Sequence, residues 1–583
     1  MKLSVVIPTY NRRRLLARTL PSLLAQDFPA DAYEVVVVVD GATDGTAEYL
    51  RGLTPPCGLR VLEQPNRGPS AARNAGIAAA TGEIVLLMDD DMRCDATLVR
   101  RHAAAHEGGP PDQVVFGPVL VAPESLPGLA TDQVREWHDA YVARVRREGR
   151  PRSEYDVWVY ANCSARRELL LAHGGFDEGY RWPTLDDAEF AIRLWRAGVD
   201  FRLAPDALAH TIYSKSASYL VHTDAGRVGA SEVQLCRRHP AYRQHSLPAN
   251  MLGRSRTKAA LVRLACALPL SPEPALRLPY WLASRLRHVP PMRKLGYRLL
   301  DYRRGLVAMR GASREVGSWG AMREAFGTTL PVLLYHHVGP TRPGTLPELT
   351  VSPARFERQV RWLADHGFVG IRPADWLAWV REGRPLPDRP ILITLDDAYA
   401  DIAEFALPVL RRHGFGAAVY VVTRRIGGTI RWEGMTGAAA YPLMTAGQIE
   451  YWAGQGIEFG AHSRTHPRLT ALHGDQLADE VEGSAEDLAR LLGARPASFA
   501  YPHGAYNAEV RERVRQSFAM ALSCEPGLNG LATDLSFMHR AEITPDDGMH
   551  DFACGARFGR LPVQYLRVYF PRRVASTLRR LRA

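Results

Sequence analysis

The chain has 583 residues, of which 46% are hydrophobic and 23% charged, and its formal net charge is +11. This length predicts more than one domain, and the apolar fraction excludes a largely disordered chain. There is no run of eighteen apolar residues, so no membrane-spanning helix is expected, and the apolar run at the N-terminus is too short for a signal peptide. Seven scattered cysteines without a CxxC pair argue against a disulfide framework or a zinc ribbon, and we expect a cytoplasmic protein.

The positive charge is confined to two segments. Residues 213–327 hold 20 basic and 6 acidic residues, and residues 555–583 hold 8 arginines and no acid, so the rest of the chain is acidic. This uneven distribution, without a recognition motif, argues against nucleic acid as a partner. Apolar and basic residues alternate in the tail and at 261–265 and 281–287. They indicate either peripheral contact with the inner face of a membrane or packed helices with arginines in solvent.

Two blocks of the sequence alternate short apolar runs with helical patterns. This alternation, in residues 1–212 and 329–554, predicts an α/β protein with mainly parallel, helix-covered sheets. The segment between them indicates helices interrupted by proline. We therefore divide the chain into a first domain at 1–225, a basic helical connector at 226–328, a second domain at 329–554 and a basic amphipathic tail at 555–583.

Polar residues follow three predicted strands of the first block. The strands lead into Pro8-Thr9-Tyr10-Asn11, into Asp40, and into Asp89-Asp90-Asp91. Ligands of open α/β sheets bind at the carboxyl ends of strands. Three adjacent carboxylates at such an end suit Mg²⁺ or Mn²⁺ together with phosphates, and a solvated acidic turn is the alternative.

Five ordered motifs around the acidic triplet resemble those of family 2 glycosyltransferases with the GT-A fold. They are residues 5–12, 40–46, 66–76, 174–178 and 185–190. The resemblance implies an inverting transfer from a nucleotide sugar, expected to be UDP-linked, to a glycan or lipid-linked acceptor. It also implies Mg²⁺ or Mn²⁺ in the site and nucleotide-sugar contacts at Pro8, Thr9, Tyr10, Asn11, Asp40, Arg73, Asp89 and Asp90.

The same resemblance assigns roles to individual carboxylates. Asp89 and Asp91 would bind the metal, and Asp187 would deprotonate the acceptor hydroxyl. His210 follows the last strand-like run and is either a further metal ligand or a structural residue. Val39 replaces an aspartate that is frequent in the family, which weakens the expected nucleotide contacts of its loop. The QxxRW motif of processive members is absent, so we expect the addition of one or a few sugars.

The second block has its own candidate metal ligands. The predicted strand Ile391–Leu395 ends in Asp396-Asp397, and His462 and His466 follow, four residues apart. Two such histidines and a carboxylate can face one metal ion and leave positions open for water and substrate. An HxxxH pattern alone is more often structural, but two aspartates at the end of a strand favour a metal site.

Together with residues 333–338, 499–507 and 539–540, these motifs look like those of the polysaccharide deacetylases (carbohydrate esterase family 4, NodB-like), which have a distorted (β/α) barrel. The resemblance implies Zn²⁺ or a similar divalent ion on Asp397, His462 and His466. It implies further roles for four residues: Asp396 as general base, His336 as general acid, Arg540 as the salt-bridge partner of Asp396, and His503 as a backbone donor to the oxyanion.

Two residues depart from the usual deacetylase pattern. Ala398 stands where glycine is expected, and His503 stands where tyrosine is usual. Every metal position is nevertheless filled. We therefore predict a bifunctional carbohydrate enzyme that transfers a sugar and removes an N-acetyl group, and the fusion suggests that transfer comes first. The alternative is an active glycosyltransferase joined to a deacetylase-like block that has decayed into a glycan-binding module.

Overall fold

The computed structural model describes residues 2–156, 161–180, 184–252, 262, 273–340, 347–430 and 441–559. The chain divides into two compact units. Unit 1 comprises Met1–Arg238 and Arg263–Ser318, and unit 2 comprises His239–Val262 and Trp319–Ala583. The residues predicted to form the connector are thus shared between the units, and the boundaries at 225, 328 and 554 stay predictions.

Unit 1 is built on a seven-stranded sheet in the order β3-β2-β1-β4-β8-β6-β9, with a three-stranded sheet β5-β10-β7 beside it. In the large sheet only β8 runs antiparallel to its neighbours. The strands are β1 Leu3–Thr9, β2 Tyr33–Asp40, β3 Gly58–Gln64, β4 Ile84–Leu87, β5 Met92–Cys94, β6 Gln113–Phe116, β7 Val119–Val121, β8 Cys163–Arg166, β9 Asp200–Leu203 and β10 Ala209–Thr211. Strand β2 is buried along its whole length because its valines face helices on both sides of the sheet.

The helices of unit 1 connect these strands. They are α1 Arg13–Leu24, α2 Thr46–Arg51, α3 Pro69–Ala79, α4 Leu98–His106, α5 Leu129–Glu148, α6 Arg167–Ala172, α7 Asp186–Arg196, α8 Ala217–Tyr219 and α9 Ala225–Arg238. Helix α3 needs a glycine where it crosses the sheet, since a Cβ at Gly76 would lie 2.3 Å from Val6 Cγ1. This close packing fixes the start of α3 at the carboxyl edge of β1 and β2.

Four helices lie between the two sheet-bearing regions of the chain. They are α10 Leu247–Leu252, α11 Glu273–Arg285, α12 Pro290–Val316 and α13 Trp319–Phe326. Of these, α11 and α12 belong to unit 1, where α12 packs on α9 with almost no space between the backbones. A Cβ at Gly229 would lie 1.9 Å from Ala308 O, and a Cβ at Gly311 would lie 2.0 Å from Gly226 O.

Unit 2 contains an eight-stranded parallel sheet in the order β22-β21-β20-β17-β16-β12-β24, with β15 paired to β16. Its edge strands β22 and β24 are not paired with each other in the part of the chain that the structure describes, so the barrel is open there. The strands are β11 Thr329–Leu330, β12 Val332–Tyr335, β13 His337–Val338, β14 Thr350–Val351, β15 Val369–Gly370, β16 Pro390–Leu395, β17 Ala417–Val421, β18 Thr429–Ile430, β19 Tyr441–Pro442, β20 Glu458–Ala461, β21 Ser498–Ala500, β22 Met520–Leu522, β23 Asn529–Gly530 and β24 Ala541–Glu542.

The helices of unit 2 cover the outside of this sheet. They are α14 Pro353–Asp365, α15 Pro373–Glu382, α16 Leu407–Arg412, α17 Ala446–Gly454, α18 Gly474–Leu492, α19 Ala508–Ser517 and α20 Met549–Phe558. The predicted fold class is confirmed: an α/β sheet domain of the GT-A type, helices in the middle, and a curled parallel sheet of the distorted-barrel type. Among the described residues, no helix combines the length and the apolar character needed to cross a bilayer.

Candidate active sites

The first candidate site lies at the carboxyl edge of β1, β2 and β4. Thr9 Oγ1 donates a hydrogen bond of 2.8 Å to Asp90 Oδ2, and Arg12 Nη1 contacts Asp90 Oδ1 at 2.6 Å. Arg12 also reaches Asp91 Oδ2 at 3.4 Å. Two residues predicted to contact the nucleotide sugar, Thr9 and Asp90, are thus bonded to each other. The sequence reasoning missed Arg12, although it lies directly after the Pro8–Asn11 motif.

Asp40 shapes the loop that follows β3. Its carboxylate accepts hydrogen bonds from the backbone N–H groups of Arg67 and Gly68, both at 2.9 Å, and from Gln64 Nε2 at 2.7 Å. Nearby, Asn11 Oδ1 accepts from the backbone N–H of Thr43 at 2.7 Å. These bonds join the loops after β1, β2 and β3 into one surface at the edge of the sheet.

The remaining predicted contacts at this edge differ in exposure. Pro8 lies within β1, whereas the Tyr10 side chain is half exposed. The contact of Tyr10 with the nucleotide stays a prediction.

Arg73 joins the acidic triplet to the start of α7. Its guanidinium contacts Asp186 Oδ2 at 2.8 Å and Asp89 Oδ1 at 3.1 Å. Burial alone would lower the pKa of Arg73, but Asp186 and Asp89 raise it above its ordinary value, so the charge is permanent. Sequence reasoning singled out the neighbouring Asp187 and missed Asp186, which also accepts from Ser70 Oγ at 2.9 Å.

Asp187 occupies the first turn of α7 and is half-buried. Burial and the neighbouring Asp186 raise the pKa of Asp187 to about 7, against the opposing effect of Arg73. A carboxylate with a pKa near 7 is a stronger base than an ordinary aspartate and is still partly ionised at neutral pH. It can therefore accept a proton from an acceptor hydroxyl.

The donor set at Asp89 and Asp91 fits a divalent cation. Burial and the proximity of Asp89 raise the pKa of Asp91 to about 7, and Asp91 Oδ1 is buried without a hydrogen-bond partner. A cation would satisfy this oxygen. His210 lies on β10, where its Nδ1 is 3.9 Å from Asp95 Oδ1. The structure does not bring His210 into a preformed cluster with Asp89 and Asp91. Its role as a ligand stays a prediction.

The second candidate site lies at the carboxyl ends of β16 and β20. His462 Nε2 and His466 Nε2 are 3.2 Å apart, and Asp397 Oδ1 lies 3.6 Å and 3.4 Å from them. Ligand atoms bound tetrahedrally to one zinc ion are about 3.3–3.6 Å apart, given bonds of about 2.0–2.2 Å. Among the described residues, no other group of three His, Cys, Asp or Glu side chains converges in this way.

The surroundings of these three side chains also fit a metal. Asp397 Oδ1 is buried and has no hydrogen-bond partner. His462 Nδ1 lies 2.8 Å from Ala500 O and must donate to it, which leaves the Nε2 lone pair directed at the cluster. Burial lowers the pKa of His462 to about 4, so both this ring and that of His466, whose pKa is also lowered, are neutral ligands.

Arg540 holds the neighbouring Asp396. Nη1 and Nη2 of the fully buried guanidinium contact Oδ1 and Oδ2 of Asp396 at 2.7 and 2.8 Å. Burial alone would raise the pKa of Asp396, but Arg540, His462 and His336 together lower the pKa below its ordinary value. Asp396 is therefore an ionised acceptor, 3.9 Å from His462 Nε2.

His336 and His503 approach this cluster from β12 and β21. Burial lowers the pKa of His336 to about 4, and its Nδ1 lies 3.9 Å from Glu542 Oε1. The His503 ring centre is 4.4 Å from that of His466. His503 has a φ of +56°, which turns the short segment after β21.

Comparison with known sequences identifies two families in the chain. The sequence model of glycosyl transferase family 2 matches residues 4–166, and that of polysaccharide deacetylase matches residues 383–518. The chain carries a family 2 glycosyltransferase domain followed by a polysaccharide deacetylase domain. Together they support a bifunctional carbohydrate enzyme.

Three relatives illustrate the two halves of the chain. YxkH of Bacillus subtilis, assigned by name to the polysaccharide deacetylases, is 26% identical over 228 residues, which are 39% of this chain and 75% of YxkH. Poly(ribitol-phosphate) beta-N-acetylglucosaminyltransferase TarS of Staphylococcus aureus is 42% identical over 93 residues, which are 16% of each protein. The validoxylamine A glucosyltransferase of Streptomyces hygroscopicus subsp. jinggangensis is 38% identical over 117 residues, 20% of this chain and 28% of the relative.

These two glycosyltransferase relatives are therefore matched over less than a third of their own length. A similar solved structure is the mannosyltransferase PcManGT from Pyrobaculum calidifontis in complex with GDP-Man and Mn²⁺. It is 24% identical, covers 54% of this chain and 87% of its own, and has a TM-score of 0.38.

Proposed function

We propose that the C-terminal domain removes the N-acetyl group from an N-acetylated sugar with the help of a divalent metal ion. The observation that supports this most is the convergence of Asp397, His462 and His466 around an unpartnered carboxylate oxygen. Zn²⁺ or a similar ion, when bound by these residues, polarises the amide carbonyl and makes water more acidic.

The chain's own groups then move the proton. Asp396, kept ionised by Arg540, accepts a proton from the attacking water. His336 receives this proton and passes it to the amine as it leaves, and the backbone N–H of His503 donates to the oxygen on which negative charge develops. The pKa values of Asp396 and His336 are both lowered, so before the reaction Asp396 is an ionised base and His336 is a neutral ring.

We further propose that the N-terminal domain transfers a sugar, with inversion, from a nucleoside diphosphate donor to a glycan or lipid-linked acceptor. Asp187 deprotonates the acceptor hydroxyl, and Arg73 holds Asp186 and Asp89 on either side of the donor. A divalent ion at Asp89 and Asp91 balances the charge of the leaving diphosphate. We keep the expectation that one or a few sugars are added.

The likeness to TarS supports UDP-N-acetylglucosamine as the donor, because TarS is named for transfer of N-acetylglucosamine. An N-acetylglucosamine residue added by the first domain would be a substrate for the second. We therefore propose that transfer precedes deacetylation on the same product.

Two matched variants test this assignment. We expect Asp397→Asn to abolish acetate release and leave sugar transfer intact, and Asp91→Asn to abolish transfer and leave deacetylation of a preformed product intact. The assay follows purified protein with nucleotide sugars by mass spectrometry. Deacetylation appears as a loss of about 42 Da, one acetyl group exchanged for hydrogen by hydrolysis.

A full complement of metal without acetate release from any N-acetylated glycan would refute the deacetylase proposal. It would favour the glycan-binding alternative, whose main support is Ala398 in place of glycine. That support is weakened by the backbone, since Ala398 has a φ of +55° and so keeps the turn that glycine would make. If either variant abolishes both reactions in a folded protein, the two sites do not act independently.

A further inference from the structure

Exposed apolar side chains are concentrated on one part of unit 1. Among the described residues, seventeen large hydrophobic side chains are exposed, and seven of them lie between 278 and 302. Leu278 is 64% exposed, Trp281 50% and Leu286 48%. This segment comprises α11, the turn at 286–289 and the start of α12.

The exposed side chains share one side of α11. Trp281 and Leu282 lie three and four residues after Leu278, so both are its neighbours on the helix surface, and Leu286 and Val289 continue the row into the turn. The opposite side of the helix is packed, since Ala283 is fully buried. A Cβ at Gly296 on α12 would lie 3.4 Å from Ala283 Cβ. The helix is therefore held in place with an apolar row facing outward.

The same segment is strongly basic. Residues 278–302 contain five Lys and Arg and one acid, Asp301. Two arginines turn inward to α5: Arg287 Nε lies 3.4 Å from Asp132 Oδ2, and Arg293 Nε lies 3.3 Å from Glu136 Oε1.

The other basic residues, Arg285, Lys294 and Arg298, are exposed and do not pair with α5. Arg285 lies over the Trp281 ring, with its guanidinium carbon 5.3 Å from the ring centre. In the part of the chain that the structure describes, no carboxylate lies within ion-pair distance of Lys294 or Arg298. The segment thus combines an apolar row on α11 with exposed basic groups that no acid of the described chain neutralises.

We propose that the exposed side chains of residues 278–298, which we call the 278–298 face, dock on the surface of an anionic lipid bilayer. Leucine and tryptophan side chains enter the boundary between headgroups and acyl chains, while Arg285, Lys294 and Arg298 contact lipid phosphates. A large excess of positive charge matches an anionic membrane better than a protein surface, which carries both signs. The proposal goes beyond the two reactions, because it places the enzyme where a lipid-linked acceptor would be.

Vesicle cosedimentation of the full chain tests the proposal. The vesicles are phosphatidylcholine alone and phosphatidylcholine mixed with phosphatidylglycerol, and we expect binding to the mixture only. The double variant Arg285→Glu/Arg298→Glu should lower the partition coefficient at least about tenfold, because each basic residue near such a surface contributes about fivefold. Trp281→Ser/Leu282→Ser should lower the partition coefficient by a comparable factor, because it removes apolar side chains that enter the bilayer surface.

Matched variants in unit 2 control for general effects. Val369→Ser/Tyr451→Ser removes equally exposed apolar side chains, and a chain ending at residue 559 removes the basic tail; both should still bind. Melting curves show that each variant is folded. The proposal is overturned if the wild-type chain does not bind anionic vesicles, if the face variants bind as the wild type does, or if removal of the tail alone abolishes binding. Concentration-dependent self-association that the face variants abolish would identify a protein partner instead.

Discussion

The buried pair of Arg540 and Asp396 allows a quantitative test of how the deacetylase site is held. Both side chains are almost completely buried, and two parallel contacts of 2.7 and 2.8 Å join them. Arg540 Nε also donates to Ser523 O at 2.9 Å. A buried ion pair of this kind stabilises the fold little more than apolar side chains of the same size would. Removing one partner, however, leaves the other charge buried without a counter-ion, which is strongly destabilising.

The size of the effect follows from this asymmetry. Arg540→Met leaves the Asp396 carboxylate buried without a counter-ion, which costs about 3–5 kcal/mol of the free energy of unfolding. At roughly 2–4 °C per kcal/mol for a domain of this size, the deacetylase melting transition should fall by about 6–20 °C. The double variant Asp396→Leu/Arg540→Met removes both charges and should recover most of this loss.

Differential scanning calorimetry at pH 8 in the presence of a chelator measures the three proteins without a contribution from metal. As a control, Arg511→Met breaks the exposed pair of Arg511 and Asp534, whose nitrogen and oxygen are 2.7 Å apart. An exposed pair contributes less than about 1 kcal/mol, so the control should melt within a few degrees of the wild type. The reasoning is refuted if the double variant is no more stable than Arg540→Met, or if the control loses as much as Arg540→Met.

Three further predictions concern single residues. Ala398 is buried with a φ of +55°, so Ala398→Val should lower the stability of the domain by at least about 1–2 kcal/mol and reduce acetate release, whereas Ala398→Gly should preserve both in melting and acetate assays. In Arg73→Lys a single ammonium group replaces the guanidinium, whose two nitrogens contact Asp186 and Asp89, and it cannot make both contacts. Sugar transfer should therefore slow by about a hundredfold while acetate release is unchanged. The His337 ring stacks on Tyr399, which hydrogen-bonds Asp397, so His337→Leu should weaken zinc affinity about 10–100-fold in a chelator competition; unchanged affinity would show that Tyr399 is positioned without it.

Much of each site could be predicted because its residues follow apolar runs directly in the sequence. Asp396 and Asp397 end β16, which was predicted as a strand, and this placed them at the carboxyl edge of a sheet. The strand before His462, β20, was not predicted, and the spacing of His462 and His466 singled them out instead. The partners that hold these residues were harder to find. Arg12 and Asp186 lie 78 and 113 residues from the side chains that they contact, and only the resemblance to the deacetylases suggested that Arg540 pairs with Asp396.

Other expectations from the sequence have different outcomes. Thr9 and Asp90 were predicted to contact the donor, and the structure shows them bonded to each other, a packing relation that spacing does not encode. Membrane contact at 261–265 and in the tail falls almost wholly outside the described residues. The row at 281–287 lies within them, and its outward direction depends on how α11 packs on α12, which composition cannot reveal.

The distribution of backbone strain favours two working sites over a decayed module. Eight residues other than glycine have positive φ in the described chain, and five of them surround the deacetylase cluster: Asp397, Ala398, Ser463, His466 and His503. Two more border the transferase site, since Asn11 follows β1 and Leu185 precedes α7. Each such residue costs about 1–3 kcal/mol and persists only where the surrounding structure enforces it. A domain that only binds glycans has no need to keep Asp397 and His466 in this conformation, so the strain supports the proposal that the site is catalytic.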